Sequence, residues 1–179
     1  MKNLPQKQRA IFLDRDGVIN KSIMRGPNWV GSPRELHEWQ WTDHIHEAIR
    51  KLHAAGYLLI VVTNQPEVPR KQLTIGQLTA LHELMCRELP EIDDVYACTH
   101  DNEDNCNCRK PRPGMLLEAA KKWDIDLKNS WMIGDRAKDI EAGKAAGCKT
   151  CLIEYGYTYP CDPDLTCKSL LEFVAVFEK

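Results

Sequence analysis

Short apolar segments alternate along the chain with segments in which apolar residues recur every three or four positions. Residues 57–62 are apolar without interruption, which is typical of a strand buried on both faces of a parallel sheet. Between residues 43 and 55 the apolar residues share one helical face, and Gly56 provides a helix stop. The pattern predicts strands at 10–13, 57–62, 94–97, 130–133 and 149–153, and helices at 43–55, 74–89, 113–123, 137–146 and 169–177.

This alternation predicts an α/β fold, a parallel sheet flanked by helices and joined by right-handed crossovers. No repeat or linker interrupts the chain, so we expect residues 1–179 to form a single domain. The composition, 43% apolar with a formal net charge of −2, excludes disorder and argues against a nucleic-acid partner. The first apolar run is too short for a signal peptide, and no window resembles a membrane helix. We therefore expect a cytoplasmic protein without a membrane partner.

Polar side chains that could bind a ligand or take part in catalysis follow four of the predicted strands. In an open parallel sheet the carboxyl ends of the strands meet at one edge, where ligands bind. Taken singly, each such residue is more often a cap or a turn residue than a ligand. Together they predict a site formed by Asp14, Asp16, Thr63, Asn64, Arg109, Lys110, Asp135 and Asp139.

These residue types suit a phosphate group and a divalent cation. Asp14 and Asp135 offer the hard oxygen ligands that Mg²⁺ prefers, while Lys110 and Thr63 offer a positive charge and a hydroxyl donor to phosphate oxygens. Asp14 could also act as a nucleophile that forms an aspartyl-phosphate. Asp16, two residues along, could protonate the leaving oxygen and later activate water.

A loop rich in cysteine and histidine precedes Lys110. Cys98, His100, Cys106 and Cys108 form a Cys₃His set, which is typical of a structural zinc site in a chain with reduced thiols. Because the loop has no apolar residue between these ligands to bury, we expect Zn²⁺ to fix it. The alternatives are four unrelated surface side chains or a disulfide.

The other five of the eight cysteines have a simpler interpretation. Cys151 lies in a predicted buried strand, where a free thiol packs as a small apolar group. The alternative is a second metal site or a redox pair, because Cys148 and Cys151 form a Cys-x-x-Cys motif with Cys161 and Cys167 downstream. We favour core filling for these residues and for Cys86.

The order and spacing of the motifs resemble those of the haloacid dehalogenase (HAD) superfamily. The resemblance runs from about residue 10 to residue 153 and rests on Asp-Arg-Asp-Gly-Val-Ile-Asn at 14–20, Thr-Asn at 63–64, Lys110, and Gly-Asp at 134–135 followed by Asp139. Within the superfamily, segments 12–17, 61–65 and 108–117 look most similar to the heptose 1,7-bisphosphate phosphatases and the related histidinol-phosphate phosphatases.

The resemblance implies a HAD-like Rossmannoid fold and a Mg²⁺-dependent phosphoric monoester hydrolase. It gives Asp14 the role of nucleophile and Asp16 that of acid and base. Mg²⁺ would bind Asp14, the backbone carbonyl of Asp16 and Asp135, with Asp139 supporting these ligands from behind. Thr63 and Lys110 would hold the phosphate. We expect Asn64 and Arg109 to take part in binding the substrate as well. The same phosphatases carry a zinc loop at the position of residues 98–108.

The implied substrate is a small phosphorylated metabolite, first of all D-glycero-D-manno-heptose 1,7-bisphosphate, which would lose its 7-phosphate. Histidinol phosphate or another small sugar phosphate is the alternative within the class. Outside this class, the alternative is an inactive binding protein whose loop is held by zinc and whose motif residues only form turns at the strand ends. We expect a monomer.

The segment 21–42 is too short for a separate cap domain, so loops should form the walls of an open site. Trp29 is either a wall residue that stacks on a sugar or a loop anchor packed on the core. Arg109 and Arg112 could meet a second phosphate, although for Arg112 we slightly favour a solvated position at a helix start.

One stretch departs from the heptose phosphatases, which usually have a small, glycine-containing segment after Asn-Gln. Here residues 66–71 contain two prolines and Glu67, which should give a stiff loop with an anionic wall. The departure leaves the predicted chemistry unchanged but opens the question of the exact substrate.

Overall fold

The computed structural model describes residues 7–26 and 29–177, which alternate strands and helices as the sequence predicts. The strands are β1 (Ala10–Leu13), β2 (Ile23–Gly26), β3 (Trp29–Gly31), β4 (Leu58–Asn64), β5 (Asp94–Cys98), β6 (Trp131–Gly134), β7 (Lys149–Ile153) and β8 (Leu165–Cys167). The helices are α1 (Ile45–Ala54), α2 (Ile75–Glu88), α3 (Gly114–Trp123), α4 (Ala137–Ala146) and α5 (Leu170–Phe177). Residues 1–6, 27–28 and 178–179, which the single-domain prediction includes, lie outside the described residues.

Six of these strands form one sheet in the order β5-β4-β1-β6-β7-β8. Every pairing in it is parallel, as predicted. The central strand β1 pairs with both β4 and β6, so that Leu13 lies between Val61 and Ile133. The residues that follow β1, β4 and β6 therefore leave the sheet side by side.

Helices cover both faces of the sheet. Ile11 and Leu13 of β1 pack on the face covered by α1, α2 and α5, whereas Ala10 and Phe12 pack on the face covered by α3 and α4. This alternation follows from the two-residue period of a strand. None of the helices within the described ranges is both long and apolar enough to cross a membrane.

Three strands were not predicted. β2 and β3 form a short antiparallel hairpin between β1 and α1, and β8 adds a three-residue edge strand. All three are short, and their polar and glycine residues give no clear alternation. In the described part of this connection the hairpin and the 3₁₀ turn Leu36–Glu38 are the regular elements, which agrees with the expected lack of a cap domain.

Candidate active site and metal-binding loop

The predicted acidic residues meet at the carboxyl ends of β1 and β6. Asp14 follows β1 directly, and its N–H donates to the carbonyl of Ile133 at 2.9 Å. Carboxylate oxygens of Asp14, Asp135 and Asp139 all lie within 4.8 Å of one another, and all three side chains are buried. This grouping can hold a metal ion. The sequence predicted this convergence from the positions of these residues after the strands of a parallel sheet.

Lys110 neutralises part of this acidic cluster. Its buried Nζ lies 2.9 Å from Asp14 Oδ1 and 2.5 Å from Asp139 Oδ1, and it donates to the carbonyl of Val62 at 2.8 Å. Burial raises the pKa of Asp14, and although Lys110 lowers it, Asp139 and Asp16 raise it further, to about 6. The three hydrogens of Lys110 are thus already engaged, so a bound phosphate must replace one of these partners or be held by charge alone.

Asp135 is fully buried and only half satisfied. Its Oδ2 accepts a hydrogen bond of 2.8 Å from the Tyr157 hydroxyl, while its Oδ1 has no partner among the described residues. Burial, with the charges of Asp14 and Asp139, raises the pKa of Asp135 well above its ordinary value. A buried carboxylate oxygen without a donor is unfavourable unless a cation completes it, so Asp135 fits a hard divalent ion such as Mg²⁺.

Glycine is required at position 17, beside this carboxylate. Gly17 has a φ of +92°, and a Cβ there would overlap the carboxylate of Asp135. Tyr157, which orients Asp135 from the other side, was missed in the sequence because it lies in an irregular segment beyond β7.

Asp16, the predicted acid and base, is held as a carboxylate. Asn20 Nδ2 donates to its Oδ1, and Ser32 Oγ and Gln65 Nε2 donate to its Oδ2, each at 2.9 Å. Burial raises the pKa of Asp16, but the positive charge of Arg15 and these hydrogen bonds lower it by more, so the pKa lies below its ordinary value. In the free protein this residue is therefore a base.

Arg15 is the partner that fixes Asp16. Its guanidinium is fully buried and donates from Nη2 to both oxygens of Asp16 at 3.1 Å. Arg15 Nη1 lies 3.0 Å from His82 Nε2 on α2. Burial, then the charge of Arg15, lower the pKa of His82 to about 4, so the imidazole is neutral and accepts from Arg15. The sequence predicted no role for either residue.

Thr63 and Asn64 stand at the end of β4, next to the cluster. Thr63 is buried, and its hydroxyl accepts a hydrogen bond of 2.8 Å from Gln65. Asn64 grips the backbone of Lys110 in both directions: its Nδ2 donates to the Lys110 carbonyl, and its Oδ1 accepts from the Lys110 N–H, both at 3.0 Å. Asn64 thus positions Lys110, while the predicted contacts of Thr63 and Asn64 with phosphate stay predictions.

The second group of metal-binding side chains lies in the loop after β5. Cys108 Sγ is 3.2 Å from Cys98 Sγ, 3.4 Å from Cys106 Sγ and 3.3 Å from His100 Nδ1. These four residues, predicted together from their spacing, form a cluster that can hold a metal ion.

The remaining cysteines do not join a metal cluster in the described part of the chain. Cys148, Cys151 and Cys167 are buried in the apolar core, and Cys86 packs against it. These four fill space as predicted, whereas Cys161 is partly exposed and lies outside the apolar core.

A pocket of about 200 Å³ opens above Asp14, Asp16 and Lys110. Its walls come from the β2–β3 hairpin, the loop after β4, the metal-binding loop and the start of α4. Trp29, 42% exposed, belongs to the first wall, with the guanidinium of Arg34 stacked 5.5 Å from its ring centre. This places Trp29 as a wall residue rather than a core anchor.

Two arginines of the metal-binding loop are held by the loop itself. Arg109, which lines the pocket, donates to Asn102 Oδ1 at 2.9 Å and to the His100 carbonyl at 3.1 Å. Arg112 is exposed but not simply solvated, because it donates to the carbonyls of Asn105 and Cys106. It braces the loop, and the favoured interpretation of a free charge at a helix start was incomplete.

Known proteins are similar to this chain in sequence and in fold. A HAD-hydrolase-like family model matches residues 107–173. The chain is 43% identical over 152 residues to a D-glycero-beta-D-manno-heptose-1,7-bisphosphate 7-phosphatase of Rhodopseudomonas palustris, a match that covers 79% of this chain and 81% of the relative. It is 37% identical over 183 residues to the phosphatase of the same name from Pasteurella multocida, with 96% of both chains covered.

Among solved structures, a D,D-heptose 1,7-bisphosphate phosphatase from B. bronchiseptica, crystallised with magnesium and phosphate, superposes with a TM-score of 0.81 at 28% identity. That match covers 96% of this chain and 98% of the other. The chain therefore belongs to the HAD-like phosphatases, in the family that includes these heptose bisphosphate phosphatases.

Proposed function

We propose that the protein is a Mg²⁺-dependent phosphomonoesterase that removes the 7-phosphate of D-glycero-β-D-manno-heptose 1,7-bisphosphate. The observation that carries the proposal is the buried set of Asp14, Asp135 and Lys110 at the strand ends of a chain whose relatives bear that name. The arrangement of these side chains and the names of the relatives both support phosphate-ester hydrolysis, and the names of the relatives indicate the substrate.

Asp14 is the proposed nucleophile. Within the described ranges, its partners Lys110 Nζ and the N–H of Arg15 both contact Oδ1, which leaves Oδ2 as the oxygen for attack. A new bond forms between this oxygen and phosphorus as the bond from phosphorus to the substrate oxygen breaks. The product of this step is an aspartyl-phosphate and the free alcohol.

Asp16 moves the protons. The leaving oxygen takes a proton from Asp16, whose pKa must rise for this step, and the negative charge of a bound phosphate acts in that direction. Asp16 then accepts a proton from the water that attacks phosphorus, which releases inorganic phosphate and restores Asp14. Its low pKa in the free protein suits this second step.

Asp14, Asp135 and the backbone carbonyl of Asp16 would hold Mg²⁺, which supplies positive charge to the phosphate oxygens. Lys110 adds a second positive charge next to Asp14, and this charge reduces the repulsion between the Asp14 carboxylate and the incoming phosphate. Asp139 supports this role by pairing with Lys110.

The rim of the pocket supports a substrate with a second phosphate. Arg70, Arg109, Arg136 and Lys138 all line it. Lys138 has no ion pair among the described residues. Burial lowers the pKa of Lys138, and the positive charges of the three arginines lower it further. An unpaired Lys138 among three arginines at this rim favours a ligand that brings a second anionic group there, as a bisphosphate does and histidinol phosphate does not.

We further propose that the metal of the loop is zinc. Sulfur ligands of tetrahedral Zn²⁺, with bonds of about 2.3 Å, are separated by about 3.8 Å. The sulfurs of the loop, 3.2 to 3.7 Å apart, come close to this spacing, and the Cys₃His donor set leaves no open position.

The monomeric state and the cytoplasmic location stay predictions. Light scattering would measure the molar mass in solution and so check the first.

The test compares wild type with Asp14→Asn on heptose 1,7-bisphosphate, histidinol phosphate and an aryl phosphate, all with Mg²⁺. We expect Asp14→Asn to lower the rate by ~1,000-fold or more, because the nucleophile is lost. Asp162→Asn, on an exposed side chain, is the matched control and should keep the wild-type rate. Unchanged rates in Asp14→Asn would exclude the mechanism, and faster turnover of histidinol phosphate would exclude the substrate.

A further inference from the structure

Glu67 is a buried acid in the pocket wall that the mechanism does not use. It is 5% exposed and lines the same pocket as Asp16 and Ser32. Its Oε2 has no hydrogen-bond partner among the described residues. The backbone holds it firmly, because the N–H groups of Gln72 and Leu73 both donate to its carbonyl, at 2.9 and 3.1 Å.

Two arginines, Arg25 and Arg70, interact electrostatically with Glu67 without forming an ion pair with it. Arg25, however, is forked onto Glu38 at 2.6 Å, and Arg70 onto Asp101 at 2.6 and 2.7 Å. The arginines therefore offset part of the charge of Glu67 while leaving its capacity to accept hydrogen bonds unused.

An unsatisfied buried carboxylate destabilises a free protein, so it indicates a ligand that completes it. A cationic ligand group is disfavoured beside Glu67, since the positive charges of Arg25 and Arg70 already act on this carboxylate. Neutral donors meet no such repulsion. A sugar phosphate presents several hydroxyl groups, and a hydroxyl group can donate a hydrogen bond to Glu67 without carrying a positive charge.

We propose that Glu67 is a specificity residue whose carboxylate accepts hydrogen bonds from hydroxyl groups of the substrate's non-phosphate part. The inference rests on the proposed phosphatase function and adds to it a preference for polyhydroxylated phosphate esters. Pro66 and Pro69 restrict the loop on both sides of Glu67, so little ordering is needed when the substrate binds.

The experiment measures kcat/KM of wild type, Glu67→Gln and the matched control Glu83→Gln, which alters an exposed acid of α2. The substrates are heptose 1,7-bisphosphate, histidinol phosphate and an aryl phosphate without hydroxyl groups. We expect Glu67→Gln to lower kcat/KM for the heptose substrate by about 10- to 100-fold, the loss typical of a hydrogen bond to a charged group. Its value for the aryl phosphate, and all values of the control, should stay at wild-type level.

Thermal unfolding separates this role from a structural one. Removal of an unsatisfied buried charge should leave the Tm of Glu67→Gln unchanged or raise it, whereas a structural role would lower it. Equal losses on heptose and aryl substrates, no loss on the heptose substrate, or a lowered Tm would each overturn the proposal. A loss confined to histidinol phosphate would overturn the assignment to hydroxyl groups.

Failure of the proposed function gives a different result. If wild type does not favour heptose 1,7-bisphosphate, the best sugar phosphate of a panel replaces it, and Glu67 is judged on the same ratio to the aryl phosphate. A wild type that prefers the aryl phosphate to every sugar phosphate overturns both proposals.

Discussion

His82 should make the stability of the protein depend on pH. The unfolded chain binds a proton at this residue near its ordinary pKa of 6.5, but the folded protein does so only near 4. Between these values the unfolded state binds more protons, so stability falls as the pH decreases from 6.5 towards 4. Above this window the contribution of His82 is fully present.

The magnitude follows from the two pKa values. Each unit of difference corresponds to about 1.4 kcal/mol, and from about pH 7 to about pH 5 the linkage relation gives a loss of roughly 2 kcal/mol. Because His82 is partly exposed, solvent screening reduces this to about 1–2 kcal/mol, or a few degrees in Tm for a chain of this size.

Urea unfolding of wild type and His82→Gln at both pH values measures this contribution. Glutamine does not titrate and keeps an acceptor for Arg15, so the stability of the variant should fall less on acidification, by the amount given above. His53→Gln, on an exposed face of α1, should retain the full dependence of wild type. Equal pH dependence in wild type and His82→Gln would refute the reasoning, because other groups would then carry the whole effect.

Two further changes test the metal sites. Cys98→Ser should reduce bound zinc from about one equivalent per chain and lower the Tm, since ligand binding stabilises the folded loop. Cys161→Ser, which alters a partly exposed thiol outside the core and outside the metal cluster, is the control and should change neither. Zinc retained in full by Cys98→Ser would exclude the site. Gly17→Ala should cost about 1–3 kcal/mol, because alanine is strained at positive φ and its methyl group displaces Asp135. It should also raise the Mg²⁺ concentration needed for half-maximal rate, and an unchanged Mg²⁺ titration would contradict the placement of Asp135.

The parts of the site that could be predicted lie directly after strands. Asp14 and Asp135 follow buried apolar runs, and a parallel sheet brings such ends together whatever the loops do. The ligand set of the loop was equally accessible, because Cys98, His100, Cys106 and Cys108 are close in sequence.

The missed features depend on contacts between distant segments. Arg15 and His82 are 67 residues apart, and Tyr157 and Asp135 are 22 apart, so no local pattern joins them. The role of Asn64 at Lys110 was missed for the same reason, since the two residues are 46 positions apart. The β2–β3 hairpin escaped prediction because its short strands lack a clear alternation of apolar and polar residues.

The neighbours Arg109 and Lys110 are anchored in different parts of the molecule. Lys110 is fixed by Asn64, by the β4 carbonyl of Val62 and by two buried acids, whereas Arg109 depends on groups of the metal-binding loop. Oxidation of the loop thiols, or loss of their metal, should therefore release Arg109 first and leave Lys110 in place. If Arg109 selects the substrate as predicted, we expect damaged enzyme still to cleave simple phosphate esters while it discriminates less among them, so that selectivity is lost before reactivity.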